Sequence, residues 1–272
     1  MAEELPGRLR RPARAWQFAE SPLIDGDNLI CTPGGPKATM VALDRKTGGE
    51  VWRCPAGDVA GYSSVVISNA GGVKQYVQLT DGGTIGVAAK DGKLLWRYAK
   101  LEKNTANIPT PVVLGEQVFT TAGYGKGGAL LSLKAEGEGI AAVEEYYNNR
   151  LRNKHGGVVV VGDYVYGDTD DSGNPYCAEW KTGEVKWTRR EARQGGQGGG
   201  SAALTYADGL LFIHYADGWI HLVPAVSTGY TVRGAFKMLP RTENSWAHPV
   251  VIGGRLYLRD KDNLFCYAVR GK

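Results

Sequence analysis

One hairpin pattern recurs along this chain at a spacing of about 45 residues, and that periodicity restricts the fold more than any other feature. Each copy is a short apolar run, a glycine turn and a second apolar run. It reads SPLIDGDNLI from Ser21, TPVVLGEQVF from Thr110, GVVVVGDYVY from Gly157, ALTYADGLLF from Ala203 and HPVVIGGRLY from His248. A looser copy, SSVVISNAGGVKQYV, begins at Ser63. The turn glycines Gly26, Gly115, Gly162, Gly209 and Gly253 are separated by 89, 47, 47 and 44 residues, and the loose copy fills the first gap.

A second clause follows the hairpin and closes the repeat with a polar turn and a large aromatic. It is VALDRKTGGEVW from Val41 to Trp52, AAKDGKLLW from Ala88 to Trp96, and CAEWKTGEVKW from Cys177 to Trp187. A strand ends at the Asp or Glu, Thr-Gly or Asp-Gly makes the tight turn, and the next strand presents a Trp to the neighbouring sheet. Trp52, Trp96 and Trp187 are therefore expected to be structural docking residues. The third and fifth repeats carry Tyr146 or Tyr147 and Arg233 near that place, which predicts looser packing there.

Four short antiparallel strands every 40 to 50 residues form a blade. The expected fold is all-β, a β-propeller of four-stranded antiparallel blades. Repeats start near Ser21, Tyr62, Ile108, Gly156 and Ser201, and a sixth stops at Lys272 after three strands. Six blades are expected, the alternative being an incomplete part of an eight-bladed propeller. The domain reading is a basic N-terminal segment, residues 1–15, as the candidate closing strand, and one propeller domain over 16–272.

The 39 glycines and the lack of any sustained helical period agree with an all-β chain. The net charge of +4 is concentrated at Arg8, Arg10, Arg11 and Arg14, without interleaved aromatics, so no nucleic-acid partner is expected. No window approaches the ~18 apolar residues of a membrane helix, and Met1 to Arg14 has no apolar signal core. Cys31, Cys54, Cys177 and Cys266 show no metal or redox spacing. Cys177 and Cys266 fall at matching repeat positions, as small apolar residues on packed strands would.

Four local patterns carry chemistry. DTDDSGNPYCAE fits the calcium-loop spacing D-x-D-x-S-G-x5-E, with Asp168, Asp170, Ser172 and Glu179 as oxygen ligands; the alternative is a solvated hairpin turn. GYGKGG, from Gly123 to Gly128, matches a dinucleotide fingerprint but lies between two strand-like runs, which leaves a loop with Lys126 open to an anion. A two-residue turn at Asp217-Gly218 would set His214 opposite His221 as a cross-strand pair. GGQGGGS, from Gly195 to Ser201, reads as a mobile linker.

Loops entering the first strand of each blade gather at the channel mouth, where propellers meet ligands. Position in the repeat points to Trp16, Glu20, Tyr62, Asn107, His155, Trp246 and His248 as ligand-binding residues. No G-x-S-x-G, H-E-x-x-H or paired carboxylate accompanies them, so an enzyme would have to use His155 or His248 as proton carrier.

The pattern Ala42, Asp44, Thr47, Gly48, Trp52, three times in register, resembles the tryptophan-docking repeat of quinoprotein propellers. AESPLIDGDNLICTPGG and EWKTGEVKW look like PQQ-like proteins similar to the outer-membrane assembly lipoprotein BamB. The resemblance covers about Trp16 to Val269. It implies one of two functions. BamB-like members bind proteins without a cofactor; the dehydrogenases hold pyrroloquinoline quinone over a Trp with calcium beneath, and carry a disulfide of adjacent cysteines that this chain lacks. The expectation is a non-catalytic binding scaffold for a protein, peptide or glycan, using the channel mouth or blade edges. The alternatives are a quinoprotein-like enzyme and a shortened or engineered scaffold without separate activity. The resemblance also implies an exported or periplasmic location.

Overall fold

Glycine turns set the hairpins. Leu23–Asp25 (β1) pairs antiparallel with Asn28–Cys31 (β2) across Gly26-Asp27, and Gly26 has φ +62°, which the primed hairpin turns require. Met40–Asp44 (β3) and Glu50–Cys54 (β4) complete the first sheet, in the order β1-β2-β3-β4. This computed structural model describes residues 17–102, 105–137, 139–192, 196–239 and 245–270. Trp16 and the expected closing strand at 1–15 lie outside the described residues.

The sentence then repeats. Val66–Ser68 (β5), Gln75–Thr80 (β6), Gly83–Ala88 (β7) and Leu94–Tyr98 (β8) form the second sheet. Its β5–β6 connection is longer and holds a short 3-10 turn, as the loose copy implied. Val112–Leu114 (β9), Gln117–Ala122 (β10), Gly127–Glu136 (β11) and Gly139–Asn148 (β12) form the third. Val159–Val161 (β13), Tyr164–Asp168 (β14), Pro175–Glu179 (β15) and Val185–Thr188 (β16) form the fourth. Ala202–Ala207 (β17), Leu210–Tyr215 (β18), Trp219–Pro224 (β19) and Gly234–Lys237 (β20) form the fifth. Val250–Ile252 (β21), Arg255–Asp260 (β22) and Asn263–Ala268 (β23) form a sixth, three-stranded sheet. These are the six blades of an all-β propeller, with no α-helix among the described residues.

Two compact units divide the chain, Met1–Thr120 with Leu130–Glu145, and Thr121–Ala129 with Tyr146–Lys272. In the first, a core of Ile30, Met40, Trp52, Tyr76, Ile85 and Val87 lies between the first two sheets. In the second, Tyr166, Trp187, Leu204, Ile213, Tyr215 and Tyr230 fill the space between the fourth and fifth sheets.

Aromatic docking takes more than one form. Trp52 donates its indole N–H to the Ala89 carbonyl of the next sheet at 3.0 Å. Its ring covers the turn glycine Gly92, where an added Cβ would sit 2.5 Å from a ring carbon. Trp187 likewise donates to the Val226 carbonyl at 2.8 Å. Tyr146 takes the tryptophan's place in the third repeat, with its ring 2.5 Å from a Cβ added at the turn glycine Gly183. Its hydroxyl is buried and makes no hydrogen bond among the described residues, the cost of a phenol where an indole N–H would reach a carbonyl. Trp96 departs from the expectation: its N–H turns to Gln75 of its own sheet at 2.5 Å. In the fifth repeat Phe236 meets Tyr267 at 4.9 Å, while the Arg233 amide merely pairs with Leu222.

Asp44 shows why the D-x-x-T-G spacing makes a turn. Its Oδ1 accepts from the Lys46 and Thr47 amides and from the Thr47 hydroxyl at 3.0, 2.7 and 2.9 Å. The Thr47 amide leads in holding this carboxyl below its usual range. The ladder shifts register at the same repeat position in three sheets, beside Ala42, Gly86 and Cys177. Cys177 is buried as expected, with burial pushing its thiol up to about 12, but its repeat counterpart Cys266 is exposed.

Candidate functional site

The sequence-derived site residues separate by unit. In the first, the Glu20 carboxylate accepts from the Thr32 amide at 2.6 Å and from Gln78 at 3.1 Å, and burial leads in raising its pKa. The Tyr62 amide donates to the Asn107 carbonyl at 2.7 Å. The fully buried Asn107 amide reaches the Thr80 and Leu101 carbonyls at 2.7 and 3.1 Å. These three groups tie chain segments together.

In the second unit the structure does bring His155, Trp246 and His248 together. The His155 and Trp246 rings stack at 4.6 Å with 16° between planes. Trp246 remains 49% exposed, so its other face is open to a ligand. His248 Nε2 donates to the His155 carbonyl at 3.2 Å.

Behind His155 lies a polar chain that the sequence did not signal. His155 Nδ1 is 3.0 Å from Ser201 Oγ, which is 2.5 Å from Asp171 Oδ1. Serine has one hydroxyl proton, and the carboxylate takes it; the imidazole therefore donates from Nδ1 and leaves Nε2 as the acceptor. Burial, then the Lys154 charge, depresses the His155 pKa, with Asp171 opposing. Burial works against ionised Asp171, yet Lys154 and Ser201 hold its carboxyl below the usual range. Lys154 pairs with Asp171 and lies 4.4 Å above the Tyr124 ring.

The proposed calcium ligands do not converge. Asp168 stands opposite Pro175 at one end of the β14–β15 ladder, and Glu179 opposite Tyr164 at the other, about 13 Å away at ~3.3 Å per residue. Each is otherwise engaged. Asp168 is buried and accepts from the Ala202 amide at 2.9 Å, with burial pushing its carboxyl up to about 8. Asp170 accepts from the Tyr124 and Gly125 amides at 2.9 and 3.3 Å. Ser172 donates to the Thr169 carbonyl, and Glu179 accepts from Thr182 as Asp44 does from Thr47. The hairpin-turn alternative describes the segment. Among the described residues, no three His, Cys, Asp or Glu side chains group as a metal site.

Two further readings are corrected. The ladder pairs His214 with Ile220 and His221 with Ile213, so a turn one residue longer than expected sends the imidazoles to opposite faces. His214 bonds the Ala247 carbonyl and His221 the Tyr230 hydroxyl. Residues 196–200 of the glycine segment are also held: the buried Arg189 donates to the carbonyls of Gly196, Gln197 and Gly198 at 3.1, 2.7 and 2.8 Å. GYGKGG, as expected, connects two strands, β10 and β11.

Beside the polar chain opens a cavity of about 510 Å³, whose wall includes Arg150, Arg152, Arg190, Asp170, Asp171 and Glu191. Asp171 thus belongs to both the cavity and the His155 network, and the Ser201 hydroxyl also lies 3.1 Å from the Asp170 carbonyl.

Antiparallel sheets repeating with an aromatic-on-glycine joint define a propeller of PQQ-like repeats. The family model described as "Outer membrane protein assembly factor BamB" matches residues 8–189, and the chain belongs to that family. BamB from Moraxella catarrhalis is similar in structure, with 18% identity, a TM-score of 0.66, and coverage of 92% of this chain and 72% of that one. The computationally designed Ika8 protein matches with 11% identity, a TM-score of 0.65, and coverage of 93% and 71%. Quinohemoprotein alcohol dehydrogenase from Comamonas testosteroni matches with 13% identity, a TM-score of 0.58, and coverage of 89% and 51%. These likenesses show the fold. No curated protein matches the chain significantly by sequence.

The adjacent-cysteine disulfide of such dehydrogenases has no counterpart here, since all four cysteines are free thiols.

Proposed function

We propose that this chain is a non-catalytic binding propeller that engages another protein through the Trp246, His155 and His248 face of its second unit. The observation that carries this is a half-exposed tryptophan held flat by a buried-side imidazole. Rigid, backed aromatics are where interfaces concentrate binding energy. The groups behind it support binding over catalysis. Ser201 is only 3% exposed and its proton is committed to Asp171, so His155 donates to the hydroxyl instead of withdrawing its proton. The family description supports a protein partner and an exported location in the cell envelope. No helix among the described residues is long and apolar enough to cross a membrane.

A photo-crosslinking amino acid at exposed position 250, which leaves Trp246 in place, tests this in the source cell. One discrete protein adduct is expected, lost when His155→Ala removes the backing ring. Purified protein mixed with pyrroloquinoline quinone and calcium is expected to emerge from gel filtration without quinone absorbance. Stoichiometric quinone retained by the wild type but not by Trp246→Ala, with alcohol-dependent dye reduction, would overturn the reading.

A further inference from the structure

The cavity beside Asp170 and Asp171 contains more cationic donors than its own acceptors use. Arg150, Arg152 and Arg190 all contribute to its wall, and guanidinium charges are permanent. Arg150 pairs with Glu191 at 2.5 Å, the one close ion pair of the three among the described residues. Arg152 Nε is buried without a hydrogen bond; its nearest carboxylate oxygen, on Asp170, is 3.8 Å away, too far for one. The Arg190 guanidinium has no hydrogen bond or ion pair among the described residues; only its backbone amide is used, by Asn174 at 2.8 Å.

The acids in the wall are already bound to other donors. Asp170 spends both oxygens on the Tyr124 and Gly125 amides. Asp171 is bound to Lys154 and Ser201, and Glu191 to Arg150. Thr188 and Ser172 are fixed too, the first accepting from the Glu191 amide at 3.1 Å and the second donating to Thr169 at 2.6 Å. What remains is the Arg152 Nε–H and the exposed Arg190 guanidinium, neither with a hydrogen bond among the described residues. Guanidinium forks match a tetrahedral oxyanion carrying two negative charges.

We infer that this cavity is a binding site for a phosphate-type oxyanion, held by Arg152 and Arg190 with Arg150 in support. Its volume of about 510 Å³ exceeds what one phosphate fills and lies within the range of small-molecule pockets. A small phosphomonoester is therefore the favoured occupant. The cavity shares Asp171 with the chain behind His155, but its arginines are not part of that chain, so either can fail alone.

Isothermal titration at low ionic strength, with inorganic phosphate, glycerol 3-phosphate and succinate as probes, tests the assignment. Both phosphates are expected to bind, the ester more tightly, and succinate more weakly than either. Arg152→Gln with Arg190→Gln is expected to weaken the ester by about tenfold to a hundredfold, with an unchanged circular dichroism spectrum. Lys181→Gln, which removes an exposed charge outside the cavity wall, is expected to bind like the wild type. An equal loss in Lys181→Gln would mean diffuse charge attraction and would overturn the site. So would undetectable binding of both phosphates, or succinate binding as tightly as the ester. Free phosphate binding as tightly as the ester would retain an oxyanion site but overturn the phosphomonoester as its occupant.

Discussion

Arg97 and Arg189 solve the same problem in opposite ways. Each follows a repeat-closing tryptophan by one or two residues and reaches into a neighbouring loop. Arg97, in the first unit, grips both oxygens of Asp58 at 2.7 Å and adds the Gly82 and Ala56 carbonyls. Thr80 supplies a further hydrogen bond to Asp58 at 2.7 Å. Arg189, in the second unit, has no carboxylate partner among the described residues. It donates to four carbonyls, of Gly173, Gly196, Gln197 and Gly198, and lies 4.9 Å over the Tyr215 ring. One joint neutralises a charge; the other satisfies it with dipoles alone. The loop wrapping Arg189 must come very close to do so, and Gly198, at φ +102°, would place a Cβ 2.7 Å from Tyr215. Gly200 is crowded in the same way, its added Cβ lying 2.8 Å from Ala216, whereas Gly196 has open space around it.

The largest test of the contrast is Arg97→Met, which strands a buried carboxylate. About 3 kcal/mol of stability should be lost in urea unfolding, and Asp58→Asn in the same chain should recover most of it. Recovery failing to appear would mean that Arg97 acts by packing rather than by charge. Arg189→Met leaves carbonyls that water can reach, and about 2 kcal/mol is the expected loss. Limited proteolysis should then cut within residues 196–200 before any other site; an unchanged digestion pattern would show that the glycines hold themselves.

The smallest expected effect, read per pH unit, is on pH dependence. Burial keeps the folded Asp168 carboxyl protonated up to about 8, whereas an unfolded aspartate titrates near ~3.9. The folded chain holds the extra proton between those values, so stability falls as pH rises through that window. His221 runs the other way: burial, then the Arg189 charge, lowers it to about 4. Its contribution is lost as pH falls below its unfolded value of ~6.5. Between pH ~6.5 and 8 Asp168 acts alone of the two, at no more than ~1.4 kcal/mol per pH unit. Asp168→Asn keeps an acceptor for the Ala202 amide and should flatten that slope in urea melts; an unaltered slope would place the titration elsewhere.

Much of the fold was legible because glycine turns and apolar runs are local signals. The five tight hairpins fell where the turn glycines put them. The Trp52 and Trp187 joints followed from their spacing, and the third repeat substituted Tyr146 without changing the geometry. Trp96 shows the limit: its spacing is a residue or two short, and Gln75 offered a nearer acceptor. The site was legible only as positions. His155, Trp246 and His248 met as the repeat implied, but Glu20, Tyr62 and Asn107 serve neighbouring backbone. The His155, Ser201, Asp171 chain joins residues 16 to 46 apart with no motif to mark it. The calcium spacing misled because Glu179 was already the Asp44 equivalent, and a turn does not gather ligands as a helix-flanked loop does. His214 and His221 were missed by one residue, which on a strand reverses the face.

The aromatic laid over the next sheet's turn glycine also bears on how the chain folds. Trp52 reaches Gly92 and Tyr146 reaches Gly183, contacts spanning 40 and 37 residues. Closing each such loop costs nearly the same entropy, because that cost grows only with the logarithm of length. No joint is then privileged as a nucleus by its separation. Folding can begin at either of these pairs and grow outward through nearest neighbours, as in linear repeat arrays. Replacing one docking aromatic should slow the joint it serves and leave the search elsewhere along the chain almost unchanged.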